Sequence, residues 1–332
     1  MPSAPNPWLD QHYAAPQTLV KIGRRRRLNL LIAGEGAPSV IFAAGLIGTS
    51  LHFARVQHEV ALKTRTVAFD KAGMGFSDPG PLPRTASAIV NDLRAALKAA
   101  DIAPPYVLVG HSAGGPQMRL FAFHHPSEVA GMVMIDSASE HQYRRMDEAA
   151  GASDSETLRR DLRRTYTRLT RLARAGALIP GMPDYDRAVG PPSPTLTLAV
   201  NAAHAAQRTK PGFWRALRSE ASAADGVSSD EIQAARSALG DHPLGDTPLI
   251  VLTAGRIPPR PGETADAMAA RYAVWRTLQE EIAALSTHGE RRTVEGAGHS
   301  IQMDRPDVVI AAIEEVLALA RAGISPRSPR RS

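Results

Sequence analysis

The stretch YVLVGHSAGGP, residues 106–116, decides the fold class of this chain. Its first four residues, Tyr106–Val109, are typical of a strand that is buried on both faces, and a helix is predicted at Pro116–His124. Between them, Gly110–Gly114 matches the pattern G-x-S-x-G around Ser112. Glycines are needed there, because side chains two residues before and after the serine would collide in so tight a turn. The pattern therefore predicts a serine whose Oγ is exposed above a sheet, with the Ala113 N–H directed towards a developing oxyanion.

Apolar runs of strand length alternate with helical patterns on both sides of this turn. Further strands are predicted at Leu19–Ile22, Leu28–Ile32, Ser39–Ala43, Thr66–Phe69, Gly131–Ile135, Leu249–Thr253 and Arg292–Glu295, and further helices at Ala86–Ala100, Ala273–Leu285 and Val308–Ala320. The first two strands form a predicted hairpin. Runs that are apolar on both faces and separated by helices indicate an α/β fold with a mostly parallel central sheet and helices on both faces.

The alternation stops between residues 137 and 246, where no buried strand is predicted. Helices are expected there at Ser155–Arg174, Thr195–Gln207, Pro211–Ala223 and Asp230–Leu239. A helical insert between sheet strands usually covers the carboxyl ends of the strands, where open α/β sheets bind ligands. We therefore expect an N-terminal extension (1–16), an α/β core (17–136 and 247–322), a helical cap (137–246) and a disordered basic tail (323–332).

Composition excludes several classes of protein. Of the 332 residues, 43% are hydrophobic and 22% are charged, as in ordinary globular proteins, and no apolar stretch approaches the roughly 18 residues of a membrane span. The N-terminus lacks the apolar core of a signal peptide, so a cytoplasmic location is expected. The absence of cysteine excludes disulfides, thiol nucleophiles and thiolate metal sites. Without H-E-x-x-H or another metal spacing, we expect neither a metal nor an organic cofactor.

The net charge of +6 could indicate a nucleic-acid partner, but its distribution argues against one. The basic residues form a short run at Arg24–Arg27, one face of the helix near Arg159–Arg174 and the C-terminal tail. Aromatic residues make up only 5% of the chain and do not alternate with these charges. We interpret the charges as solvated surface and expect no nucleic-acid partner.

A histidine that could activate Ser112 follows the last predicted strand. The segment Glu295–His299 reads Glu-Gly-Ala-Gly-His, and its glycines allow the loop to turn back over the sheet. His299 could then reach Ser112 and take its proton as a general base. The other histidines have no such placement: His124 and His125 come at the end of a predicted helix, and His111 is the variable position of the turn.

From about Leu19 to Ala320, the chain resembles the α/β-hydrolase superfamily, and within it the carboxylesterase- and lipase-like serine hydrolases with a helical cap. The matching segments are Ala44–Leu46, Asp70–Ser77, Gly110–Gly114 and Gly296–His299. The resemblance implies that the Leu46 N–H and the Ala113 N–H form the oxyanion hole. Many members have His-Gly where this chain has Ala44-Gly45, a departure that leaves the backbone donor intact.

The acid that orients the histidine has more than one candidate. Many relatives carry it directly after the strand that follows the cap, but there the chain has no carboxylate until Glu263 and Asp266. Asp136 instead follows the strand Gly131–Ile135 at once, where some members of the superfamily place the acid. Neighbouring parallel strands lie only about 4.8 Å apart, so the histidine loop could serve either position. We favour Asp136, with Asp266 or Glu263 as the alternative acid.

The resemblance implies acyl transfer, because Ser112 stands where haloalkane dehalogenases and epoxide hydrolases of the superfamily have aspartate. We expect a serine hydrolase that cleaves a carboxylic ester or lactone through an acyl-enzyme. Phe213 and Trp214 are candidates for an apolar substrate pocket, or equally for packing the cap onto the sheet. An acyltransferase or C–C bond hydrolase with the same residues, and a non-catalytic ligand receptor of the same fold, remain alternatives. The sequence predicts no oligomeric state.

Overall fold

A computed structural model describes residues 7–140, 142–150, 154–224, 226–260 and 262–323. Nearly all of the predicted basic tail, and the first six residues of the predicted N-terminal extension, lie outside the described residues. The described chain is built around one sheet and the helices that pack on it.

The sheet has eight strands, in the order β1-β2-β4-β3-β5-β6-β7-β8. β1 and β2 form the predicted antiparallel hairpin, β2 pairs antiparallel with β4, and all the other neighbours are parallel. The prediction of a mostly parallel sheet is therefore confirmed. The strands are β1 (Thr18–Ile22), β2 (Arg26–Ala33), β3 (Ser39–Ala43), β4 (Thr66–Phe69), β5 (Tyr106–His111), β6 (Val129–Ile135), β7 (Leu249–Ala254) and β8 (Gly289–Val294).

Helices cover both faces of the sheet, as its apolar strands require. Successive side chains of β5 alternate between two hydrophobic cores, with Tyr106 and Leu108 in one and Val107 and Val109 in the other. The first core is completed by helices α3 (Ala86–Ala99), α4 (Gly114–His124) and α11 (Ala265–Ala283), and the second by α1 (Pro7–Tyr13), α2 (Ala54–Val60) and α13 (Pro306–Arg321). A short helix, α12 (Ile301–Asp304), precedes α13.

A run of helices is inserted between β6 and β7, and the described residues of this insertion contain no strand. They form α5 (Gln142–Ala150), α6 (Asp154–Arg174), α7 (Pro183–Val189), α8 (Leu198–Arg208), α9 (Pro211–Ala224) and α10 (Val227–Ser237). Tyr166, Leu169, Phe213 and Trp214 belong to a separate hydrophobic cluster that includes Met74 of the segment after β4. The insertion therefore has its own small core, which rests on that segment.

Five helices were not predicted, and one begins earlier than expected. α1, α2, α5, α7 and α12 are each only four to nine residues long, too short for an apolar period to stand out, and such helices depend on tertiary contacts. In α1, for example, Tyr13 is buried and donates to Gln57 Oε1 of α2 at 2.5 Å. α11 begins at Ala265 rather than at Ala273, because the Thr264 side chain accepts a hydrogen bond from the Ala267 N–H.

Candidate active site

Ser112 lies in the tight turn between β5 and α4. Its φ of +50° falls in the left-handed region, which is strained for a residue with a side chain and occurs mainly where a function requires it. The flanking glycines allow this turn: a Cβ added to Gly110 would lie 2.7 Å from Gly115 Cα, and one added to Gly114 would lie 2.3 Å from the Ala43 carbonyl oxygen. No larger residue fits at these two positions without a backbone shift.

The structure brings His299 against Ser112 and Asp136. His299 Nε2 lies 2.9 Å from Ser112 Oγ, and His299 Nδ1 lies 2.7 Å from Asp136 Oδ2. The loop that carries His299 follows β8, and it is held by Asp304 Oδ2, which accepts a hydrogen bond from the Gly298 N–H at 2.8 Å. Hydroxyl, imidazole and carboxylate thus form a continuous chain that can move a proton away from the hydroxyl.

Asp136 is fixed by more than its contact with His299. It directly follows β6, has a φ of +39°, and its side chain is only 4% exposed. Its Oδ1 accepts hydrogen bonds from the Ala254 N–H at 3.0 Å and from Trp275 Nε1 at 2.8 Å, which leaves Oδ2 for His299. Trp275 was not predicted from the sequence, because it lies in the middle of α11, 139 residues from Asp136, and no local pattern marks it.

Neither alternative acid contacts His299 in the described structure. Glu263 forms an ion pair with Arg271, whose Nε lies 2.6 Å from Glu263 Oε1, and this contact lowers the pKa of Glu263 to about 2. Asp266 lies in the first turn of α11, where a carboxylate interacts favourably with the helix dipole. Of the three candidate acids, only Asp136 adjoins the histidine.

Two free backbone N–H groups adjoin Ser112. Leu46, Ala113 and Ser112 line the same cavity, and neither Leu46 N–H nor Ala113 N–H donates to another group in the described part of the chain. Gly45 allows the loop after β3 to come this close, since an added Cβ would lie 3.0 Å from Ser112 Cβ. Unpaired backbone N–H groups beside a hydroxyl are the type of donor that oxyanion holes use.

His111 contacts the backbone of the loop that carries His299. It is 4% exposed, its Nε2 lies 3.0 Å from the His299 carbonyl oxygen, and the two rings are 4.9 Å apart. Burial, reinforced by the neighbouring His299 and His52, holds the pKa of His111 well below its usual value of 6.5. His111 is therefore neutral at pH 7 and donates through Nε2. This role was not predicted from the sequence, where His111 is only the variable position of the turn.

The cavity at Ser112 has a volume of about 140 Å³ and is not lined by the aromatic residues expected there. Phe213 and Trp214 are each 1% exposed and pack inside the insertion, so the interpretation as packing residues is correct for both. Tyr143 also lines it, and the apolar lining comes from smaller side chains, among them Ile89, Pro116 and Ile232. Charged lining comes from Arg84, Glu140 and Glu220, each of which is paired within the protein.

The described residues hold neither a cluster of metal ligands nor a long apolar helix. No group of three or more histidine, aspartate or glutamate side chains there is arranged to hold a metal ion. No helix there has both the length and the apolar character needed to span a bilayer.

Comparison with known proteins agrees with this architecture. A family model described as the alpha/beta hydrolase fold matches residues 38–173. A candidate epoxide hydrolase from Pseudomonas aeruginosa superposes with a TM-score of 0.65 over 92% of this chain and 97% of its own, at 22% identity. The resemblance to the α/β-hydrolase superfamily is thereby confirmed, and at this identity the structural likeness shows the fold alone.

Similarity to curated proteins is partial. The chain is 32% identical over 149 residues to a protein of Hormonema carpetanum named as a probable transporter, a stretch that covers 42% of this chain and 21% of that protein. It is 31% identical over 110 residues to an sn-1-specific diacylglycerol lipase of Mus musculus, covering 32% of this chain and 35% of the lipase. These matches thus span well under half the length of either relative.

Proposed function

This chain has the α/β-hydrolase fold, and we propose that it is a serine hydrolase that cleaves a carboxylic ester or lactone through an acyl-enzyme on Ser112. One observation carries the proposal: His299 lies within hydrogen-bond distance of Ser112 Oγ through Nε2, at 2.9 Å, and of Asp136 through Nδ1, at 2.7 Å. A hydroxyl becomes an effective nucleophile when an adjacent base takes its proton and a third group orients that base.

The reaction begins when Ser112 Oγ attacks the carbonyl carbon of the substrate and passes its proton to His299 Nε2. Asp136 stabilises the imidazolium, while the Leu46 and Ala113 N–H groups stabilise the negative oxygen, a contribution of about 3–4 kcal/mol per donor. His299 then gives the proton to the departing alcohol oxygen, which leaves an acyl-enzyme. Water attacks this ester with His299 again as the base, and the released acid restores Ser112.

Two properties favour ester hydrolysis over the other reactions of this fold. Ser112 carries a hydroxyl where superfamily enzymes that form alkyl-enzymes carry an aspartate, so attack on an epoxide or a haloalkane lacks its carboxylate nucleophile. The side chain of His299 is 52% exposed, which gives water access to the base and favours hydrolysis over transfer to a second acyl acceptor. We further propose that the inserted helices act as a cap over the site.

The cavity indicates a small acyl group. At about 140 Å³ it is below the roughly 300–1,000 Å³ that is usual for pockets holding drug-sized ligands. A panel of p-nitrophenyl esters from acetate to decanoate, run beside lactones and amides, tests both the reaction and the substrate class. We expect kcat/KM to be highest for short acyl chains and to fall with chain length.

Ser112→Ala tests the nucleophile in the same assay, with Ser139→Ala as the matched control. Ser139 also lines the cavity, but its hydroxyl contacts Glu140 rather than His299. We expect Ser112→Ala to lose several orders of magnitude in turnover and Ser139→Ala to lose far less. Unchanged hydrolysis by a folded Ser112→Ala protein, or no turnover of any ester or lactone by the wild-type protein, contradicts the proposal.

A further inference from the structure

Two buried cationic side chains hold the loop that carries Leu46, one on either side of it. Lys71 Nζ donates to the Gly45 carbonyl oxygen at 2.9 Å, and Arg208 Nη2 donates to the Ile47 carbonyl oxygen at 3.2 Å. The two acceptors are the carbonyl groups of the residues immediately before and after Leu46. The first acceptor belongs to the same peptide group as the Leu46 N–H, and the second belongs to the peptide group that joins Ile47 to Gly48, so side chains from outside the loop hold it on both sides of Leu46.

The first anchor depends on the inserted helices. Lys71 and Glu220 of α9 form an ion pair at 2.5 Å with side chains only 3% and 5% exposed. Gln117 Nε2 of α4 also donates to Glu220 Oε1, at 2.8 Å. Burial lowers the pKa of Lys71, and the Glu220 carboxylate acts in the opposite direction. Glu220 therefore both neutralises the buried ammonium and fixes its position beneath Gly45.

The second anchor lies on the inserted helices themselves. Arg208 ends α8 and is 8% exposed, and its Nη1 donates to the Ala188 carbonyl oxygen at 3.1 Å while its guanidinium lies 5.2 Å from the centre of the Phe213 ring. Burial lowers the pKa of Arg208 to about 10, so it remains protonated at pH 7. No carboxylate of the described residues forms an ion pair with it. Burying a cation whose hydrogen-bond acceptors are carbonyl groups costs free energy of folding. This cost indicates that the hydrogen bond from Arg208 to Ile47 has a functional role.

We propose that helices α8 and α9 of the insertion position the Leu46 N–H for oxyanion stabilisation, through Arg208 and through the Glu220–Lys71 pair. A peptide group is planar and trans, so its C=O and the N–H of the next residue point in opposite directions. Anchoring the Gly45 carbonyl to Lys71 directs the Leu46 N–H away from Lys71. The Gly48 N–H also donates to the Gly45 carbonyl oxygen, at 3.1 Å, so Lys71 adds a second hydrogen bond to a peptide group that the turn of the loop already holds.

This inference rests on the proposed function and adds a dependence to it: the oxyanion hole is complete only while the insertion is seated on the core. Movement of α9 away from the sheet would withdraw Glu220 and release Lys71, and movement of α8 would release Ile47. The inserted helices thus contribute to transition-state binding without contacting the reacting atoms. Lys71, Glu220 and Arg208 are positioning residues in this account.

Two variants test the inference. In Lys71→Met/Glu220→Gln, both charges of the buried pair are removed together, so neither is left without a partner, and glutamine keeps the size of Glu220 where it lines the cavity. In Arg208→Met, the second anchor is removed at a residue that does not line the cavity. For each we expect kcat to fall about 10- to 100-fold with KM changed less than about threefold, because an interaction made only in the transition state is weakened. The inhibition constant of a trifluoromethyl ketone, whose adduct carries an oxyanion, should rise by a factor similar to the fall in kcat.

Glu263→Gln is the matched control, since it breaks another buried ion pair of the same chemistry, with Arg271, that has no contact with this loop. We expect it to leave kcat and the inhibition constant close to those of the wild-type protein. Wild-type kcat in both folded test variants, or an equal loss in Glu263→Gln, overturns the inference while the proposed function stands. Absence of ester or lactone turnover in the wild-type protein overturns the proposed function and the inference together.

Discussion

The indole N–H of Trp275 donates to Asp136 Oδ1 at 2.8 Å, on the opposite side of the carboxylate from the oxygen that accepts from His299. The two oxygens therefore have separate roles, one fixing the carboxylate to the protein and the other orienting the imidazole. Trp275 is 7% exposed, so this hydrogen bond is sheltered from water. Together with the Ala254 N–H, the indole prevents the carboxylate from rotating away from His299.

Replacing this donor tests whether the orientation of Asp136 matters for turnover. Trp275→Phe keeps an aromatic ring in the core but removes the N–H, and a hydrogen bond to a charged group contributes about 1.5–3 kcal/mol. We expect kcat for ester hydrolysis to fall about tenfold or more, since each 1.4 kcal/mol corresponds to a factor of ten. Trp8→Phe, in the remote helix α1, is the control. Equal kcat values in the two variants would show that the indole is only a packing group.

The acid is tested by amide substitutions at the three candidate positions. Asp136→Asn keeps the shape of the side chain, but its amide favours the wrong imidazole tautomer, and we expect turnover to fall by about four orders of magnitude. Asp266→Asn and Glu263→Gln should retain most of the activity, because neither residue contacts His299. Steady-state kinetics of the three variants measure the difference. The reverse pattern would move the acid to the segment around the start of α11.

The tight turn at Ser112 predicts that a side chain at Gly110 destabilises the fold. A Cβ at Gly110 would lie 2.7 Å from Gly115 Cα and 2.9 Å from the Gly114 carbonyl oxygen, both of them backbone atoms that cannot move independently. We expect Gly110→Ala to lower the free energy of unfolding by about 2 kcal/mol or more, as overpacking does. Gly212→Ala is the control, since Gly212 lies in α9 and the nearest atom to its added Cβ, Pro79 Cγ, would be at an ordinary contact distance of 3.6 Å. Similar denaturant midpoints for both variants would contradict the account of this turn.

The lowered pKa of His111 predicts that the stability of the protein depends on pH. Burial keeps its pKa well below 6.5 in the folded protein, whereas in the unfolded chain the value returns to about 6.5. Below that pH, the unfolded state binds a proton that folded His111 does not. The free energy of unfolding therefore falls as the pH decreases from about 6.5 towards the folded pKa, and the stability that neutral His111 contributes is fully present above about pH 6.5.

Guanidinium unfolding at pH 7.5 and pH 5.0 measures this effect. His111→Gln keeps a donor for the His299 carbonyl group but cannot titrate, so its stability should fall less between the two pH values than that of the wild-type protein. His52 and His204 account for part of the remaining decrease, because burial lowers the pKa of each to about 4. Identical decreases in the variant and the wild-type protein would show that His111 is not held neutral.

Local pattern was sufficient to predict the sheet and the position of Ser112, because strand, glycine turn and helix are adjacent in sequence. The acid was harder to predict, since β6 and β7 are neighbours in the sheet, with Ile135 opposite Leu252, and the ends of both strands are within reach of one histidine loop. The contacts of Trp275 with Asp136 and of Lys71 with Glu220 join residues 139 and 149 positions apart. Only the assembled fold brings such residues together, so the sequence carries no local signal for them.

Intact-mass measurement with peptide mapping, after incubation with a fluorophosphonate, tests the central claim most directly. The account predicts a single adduct on Ser112 in the wild-type protein, loss of ester hydrolysis in proportion to labelling, and no adduct on Ser112→Ala. An adduct on another residue, or full ester hydrolysis by protein that remains unlabelled, would contradict the assignment of Ser112 as the nucleophile.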